Sequence, residues 1–147
     1  MRFEPLEERA LLAVDTLFAV NAGGPEVVAA DSTVWQADPS SAPSAFLNQA
    51  ASGNATYGTG DTIDTSLVPA EIPTSIFSTE RFSAGGAPLQ WDFPVTPGEV
   101  EVRLFFAEIY GGTQSVGARQ FDITIENELV LDDYDVFADA GANTAVM

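Results

Sequence analysis

The chain has 147 residues, with 22 Asp and Glu against five Arg, no Lys, no His and no Cys, for a net charge of −17. That inventory excludes a Cys/His zinc site, a cysteine nucleophile, an imidazole general base and any disulfide. The acidic balance, with no basic run, argues against nucleic acid or an anionic membrane surface as partner. Hydrophobic residues make up 46% of the chain, too many for a disordered acidic tail. The length suits one domain that buries roughly 70% of the surface its unfolded chain would expose.

Residues 1–14 differ from the rest, holding Arg2 and Arg9 with Glu4, Glu7, Glu8 and Pro5 before a short Leu/Ala stretch. They read as an N-terminal leader or a disordered arm. No apolar run reaches the ~18 residues of a membrane span, so no membrane insertion is expected.

From Asp15 onward the signals are β. Residues 16–20 form a β-branched and aromatic run that stops at Asn21-Ala22-Gly23-Gly24-Pro25, a strong turn cluster. A short strand is expected around Trp35. Residues 38–62 are rich in Ser, Ala, Gly, Asn and Pro without periodicity and read as long loops. Within them, Asn54-Ala55-Thr56 matches a glycosylation sequon.

The second half alternates more clearly. Leu89, Trp91, Phe93 and Val95 interleave with Gln90, Asp92 and Pro94, as a half-buried strand does. After the Thr96-Pro97-Gly98 turn, Val100, Val102, Leu104 and Phe106 alternate with Glu101 and Arg103. Phe105, Ala107 and Ile109 then make the other face apolar too, which predicts a strand buried on both sides. Phe121, Ile123 and Ile125 alternate with Asp122, Thr124 and Glu126. Glu126-Asn127-Glu128 is a hairpin tip leading into residues 129–131. Residues 133–140 read as one helical turn with Gly141 as its stop. Many short strands, and no long helical period, predict a β-sandwich.

The acids do not single out a catalytic pair. Asp61 and Asp64, Glu108, Asp122 and Asp132-Asp133-Asp135 all offer carboxylates, and any two of 22 serve equally well. The favoured reading is a solvated acidic surface with no catalytic residue. Asp132-Asp133-Tyr134-Asp135 with Asp139 brings hard oxygen ligands together, but no glycine marks a sharp turn and no Glu closes the loop. A surface turn is the better reading, so neither metal nor cofactor is expected.

The aromatics carry more information. A sugar ring packs its C–H face on an aromatic ring, while its hydroxyls need oriented polar partners. Tyr57 lies in a Gly-rich loop, Phe82 follows Thr79-Glu80-Arg81, and Tyr110 ends a strand before Gly111-Gly112.

These aromatics sit in segments that resemble the malectin domain family. Phe18-Ala19-Val20-Asn21-Ala22-Gly23-Gly24 resembles its opening strand, and Tyr57-Gly58 with Thr59-Gly60-Asp61-Thr62-Ile63 the loop that follows. Phe77-Ser78-Thr79-Glu80-Arg81-Phe82 is similar to a Tyr-Gln-Thr-Glu-Arg-Tyr or -Trp segment. Leu104-Phe105-Phe106-Ala107-Glu108-Ile109-Tyr110 is similar to the family's most recognisable strand. Arg119-Gln120-Phe121-Asp122-Ile123 and Val130-Leu131-Asp132-Asp133-Tyr134-Asp135-Val136-Phe137 continue the pattern in order.

The resemblance implies an all-β, jelly-roll-like β-sandwich of the galactose-binding-like kind over residues 15–147, missing its last strands. The chain is therefore expected to be a C-terminally truncated fragment that is unstable or associates in isolation. The resemblance further implies a non-catalytic carbohydrate-binding module of a secreted or bacterial surface protein, alongside other domains of a larger chain. Tyr57, Phe82 and Tyr110 take the positions of sugar-contacting aromatics, with Glu80, Arg81 and Gly111 in supporting places. Phe82 stands where animal members carry Tyr, and Gly111 where they carry Phe. The family's contacting Asp lies beyond Met147. The diglucose specificity of those members is therefore not carried over; the expected partner is an oligosaccharide, with glucose as one candidate unit. A structural or adhesion module without sugar binding is the alternative.

Overall fold

A computed structural model describes residues 15–52, 55–83 and 85–147; the expected N-terminal leader and Asn54 of the sequon lie outside the described residues. Strand β1 (Val20–Ala22) pairs in parallel with β3 (Val34–Asp38), and β2 (Val27–Val28) pairs with β3 antiparallel, so the order is β1-β3-β2. The turn after β1 explains its glycines. Gly23 has φ +81, and a Cβ there would strike the Glu80 carbonyl; one on Gly24 would strike the Asn21 amide and the Thr79 hydroxyl. Only glycines let this turn lie against the strand that carries Thr79 and Glu80. Asn21, 1% exposed, fastens the contact: its Nδ2 donates to the Pro25 carbonyl at 2.8 Å and its Oδ1 accepts from the Thr79 hydroxyl at 3.2 Å.

Strand β4 (Ala55–Gly58) pairs antiparallel with β5 (Thr79–Phe82), which a 3-10 turn at Thr74–Ser78 feeds. The long loop expected over residues 38–62 therefore contains a strand that composition concealed. Strands β6 (Phe106–Ala107) and β9 (Ala145–Val146) form a second antiparallel pair. The third is the hairpin of β7 (Phe121–Ile125) and β8 (Glu128–Tyr134). Its tip, Glu126 and Asn127 with φ 51 and 69, has the two left-handed residues of a tight type I′ turn.

Helix α1 (Val136–Ala140) follows, and the expected stop at Gly141 is there, its N–H bonded to the Phe137 carbonyl. Asp135 caps the other end by accepting from Ala138 N at 2.9 Å, and its second oxygen accepts from Gly117 N at 2.6 Å. These bonds to the carboxylate, Gly117 first, hold the Asp135 pKa below its ordinary 3.8. Its folded value is depressed, so its contribution to stability is complete above 3.8 and fades as pH falls through the lowered value. Asp135→Ala is expected to lower the thermal midpoint at neutral pH. The difference from the parent should shrink as acid titrates the parent carboxylate, which a melting series in acid checks.

Trp35, Ile63, Val68, Ile76, Phe77, Ile109 and Ala145 form the core, with Tyr57 and Phe105 packed against it. Aromatic contacts extend it. Phe105 meets Trp35 at 5.4 Å and Phe77 at 6.2 Å, and Phe106 meets both Phe121 and Tyr134 at 5.6 Å, tying the hairpin to β6.

The molecule is all-β apart from α1. Its strands lie in one three-stranded and three two-stranded sheets, and no closure into two facing layers is seen among the described residues. Two expected strands are shorter than their patterns. In residues 89–95 only Trp91 pairs, in a bridge to Leu47. Of residues 100–109 only Phe106–Ala107 enters a ladder, with a bridge at Glu108. Alternation marks a segment able to be half-buried, but a ladder needs a partner about 4.8 Å away. No strand pairs with residues 94–105 among the described residues, and Val100 and Val102 stay exposed.

Candidate functional site

The β4–β5 ladder sorts the site residues by face. Thr56 pairs with Arg81, Tyr57 with Glu80, and Ala55 with Phe82. Since neighbours on a strand point to opposite sides, Tyr57, Glu80 and Phe82 share one face and Arg81 points to the other. Arg81 and Asp38, at the end of β3, have side chains fully enclosed. Arg81 Nε donates to Asp38 Oδ2 at 2.7 Å, and one terminal nitrogen donates to Oδ1 at 2.9 Å and to the Asp38 carbonyl at 2.5 Å. Asp38 Oδ1 also accepts from Ser44 N at 2.8 Å. The bidentate geometry makes this a clamp between β3 and β5. Arg81 is spent inside and reaches no surface.

On the opposite face the Tyr57 ring meets the Tyr110 ring edge to face, with centroids 5.2 Å apart and planes at 76°. Tyr57 backs onto the core, while Tyr110 is 46% exposed. Two steeply inclined walls, one anchored and one open, form a corner. Phe82 stands diagonally across the ladder from Tyr57, a separation of about 7–8 Å between such positions. No ring contact joins Phe82 to the tyrosine pair among the described residues.

The loop after Tyr110 is built to present it. Thr113 N donates to the Tyr110 carbonyl at 2.9 Å, closing a turn over Gly111 and Gly112. The Tyr110 ring lies against Gly112 so closely that a Cβ there would sit 2.5 Å from Cε1. At Gly111, by contrast, a Cβ meets nothing within 4 Å and φ is not left-handed, so a side chain has open space.

Beneath this loop lies Glu108, only 1% exposed although it interrupts an apolar run. Its Oε1 accepts from Tyr110 N at 3.2 Å and from the Thr113 hydroxyl at 2.8 Å. Its backbone carbonyl accepts from Asn143 N at 3.0 Å and Gln114 Nε2 at 3.2 Å. Arg119 sits between two acids. Its terminal nitrogens donate to the two Glu80 oxygens at 2.8 and 3.1 Å, and its Nε lies 3.3 Å from Glu108 Oε2. Burial works against the Arg119 charge, but Glu80, then Glu108 and Tyr110, outweigh it and hold the pKa above the ordinary arginine value.

The structure thus brings Tyr57, Tyr110, Glu80 and Gly111 into one region, sets Phe82 at its edge and turns Arg81 away from it. The sequence offers Glu108 only as one of many interchangeable carboxylates and Arg119 only as part of a longer segment. A lone acid in the run Phe105-Phe106-Ala107-Glu108-Ile109 was the available signal, because a carboxylate is buried only when paired. Among the other acids, Asp135 is spent as a cap and Asp139 accepts from the Tyr134 hydroxyl at 2.8 Å. Asp122, Asp132 and Asp133 are exposed, with carboxylate oxygens within 4.8 Å of one another.

An all-β domain that offers an aromatic corner, one ring on strand β4 and one on the loop after β6, braced by an acid–arginine network, has the form of a binding module. The sequence matches the malectin domain family model over residues 16–147, and the chain belongs to that family, whose members are in general carbohydrate-binding and non-enzymatic. Searches of curated proteins and of solved structures return no match. Among the described residues no helix is long and apolar enough to cross a membrane.

Proposed function

We propose that this chain is a non-catalytic carbohydrate-binding module of a secreted or cell-surface protein, holding an oligosaccharide at Tyr57, Tyr110 and Phe82. The observation that carries the reading is the Tyr57–Tyr110 corner, in which an exposed ring stands edge to face against a core-backed one. A sugar ring laid on Tyr110 buries its C–H face there, and its rim hydroxyls point toward the polar groups of the loop. A glycan array, followed by calorimetric titration of the strongest glycan, tests this. Saturable binding lost on Tyr110→Ala supports it, and a silent array contradicts it.

One observation favours the second reading, a structural or adhesion module. Gly111 supplies no ring beside Tyr110, so the stacking surface is smaller than in a site with an aromatic there. The open space at Gly111 makes the point testable. Gly111→Phe is expected to tighten glycan binding by about three- to tenfold, the size of one added aromatic contact. The fold should be unaffected, as calorimetry and a melting curve would show. An adhesion module would give no glycan signal in either form.

A further inference from the structure

Tyr57 and Tyr110 come from different parts of the chain, β4 and the loop after β6, and their backbones share no hydrogen bond of a ladder. What spans the two is Arg119. Glu80 is the register partner of Tyr57, and Glu108 holds both the Tyr110 backbone and the turn-closing Thr113. Arg119 grips the first through two nitrogens and the second through its third. It reaches this place from just before β7, so one guanidinium joins three elements.

We infer that Arg119 is a positioning residue, a planar fork that sets the angle between the Tyr57 and Tyr110 rings by fixing Glu80 and Glu108 at once; its consequence for sugar affinity rests on the carbohydrate reading of the same corner. All three guanidinium nitrogens are engaged with these carboxylates, so Arg119 acts through the rings. Lysine is a point charge that neutralises a carboxylate but lacks the flat fork needed to orient two. Arg119→Lys should therefore keep Glu108 paired and the fold intact, yet release the ring angle. Arg119→Gln should release the angle and also destabilise, because it leaves Glu108 buried without a cation.

The test uses ring-labelled tyrosine. The chain has three tyrosines, so Tyr57, Tyr110 and Tyr134 each give their own signals. Wild type is expected to show a nuclear Overhauser contact between the Tyr57 and Tyr110 rings. Arg119→Lys should weaken it severalfold and move both sets of signals, with Tyr134 and the melting midpoint nearly unchanged. Titration with maltose, as a diglucose probe, and the glycan array form the second arm, where the Lys variant should bind about tenfold more weakly than wild type.

An undiminished ring contact in Arg119→Lys overturns the inference. So does weaker binding with an intact ring contact, which would make Arg119 a direct sugar contact. A lost ring contact in a protein that binds neither maltose nor any arrayed glycan upholds the positioning role and removes the carbohydrate reading.

Discussion

Replacing Arg81 with methionine is expected to lower the unfolding free energy by about 3–5 kcal/mol, the penalty for stranding a buried charge without its partner. Asp38 would keep the Ser44 N–H but lose every bond to the guanidinium, in a place where neither side chain meets solvent. Urea unfolding of the two proteins measures the loss. The double variant Asp38→Asn with Arg81→Met should recover much of it, since asparagine still accepts from Ser44 and no charge remains buried. Replacing a buried ion pair by neutral groups is often close to neutral, whereas breaking one is not. A single variant as stable as the parent would show that the clamp between β3 and β5 does not hold the sheet edges together.

Tyr110→Ala is the second large effect, and it falls on function. The ring is the exposed half of the corner, and its removal takes the stacking surface away while leaving the core-backed Tyr57 in place. The expected loss is about 2 kcal/mol of binding, which is about thirtyfold in Kd. The melting midpoint should change little, because a half-exposed ring resting on Gly112 carries little of the fold. Tyr134→Phe is the control: that hydroxyl donates to Asp139 in α1, and glycan affinity should be unaltered. Calorimetry on the three proteins separates a local contact from a general loosening.

The parts of this fold that sequence discloses are those decided locally. The hairpin tip at Glu126 and Asn127, the strand around Trp35 and the helix stop at Gly141 depend on backbone preference and short-range alternation, and each lies where it was read. Strand β4 was not legible, because Ala55 and Gly58 are poor β formers, Thr56 and Tyr57 between them are too short a run to signal a strand, and the strand exists through β5. The reverse holds for residues 94–105, whose alternation is strong but whose pairing depends on a partner strand.

The same division runs through the site. Tyr57, Phe82 and Tyr110 stood out as aromatics beside loops, and family resemblance put them in order. That Tyr57 and Tyr110 touch while Phe82 stands apart follows from the β4–β5 register and the Glu108 turn, which no local pattern encodes. Arg81 and Arg119 show the limit best. Both are arginines bound to acids, yet one is enclosed between β3 and β5 and the other spans the aromatic corner. The buried clamp and the brace differ only in where the chain brings their partners.

The most direct measurement is a glycan array probed with the parent chain, Tyr110→Ala and Tyr134→Phe side by side. A carbohydrate module with its site at the Tyr57–Tyr110 corner predicts a set of glycans bound by the parent and by Tyr134→Phe and lost with Tyr110→Ala. An array silent for the parent, or a pattern that Tyr110→Ala leaves intact, would contradict that assignment.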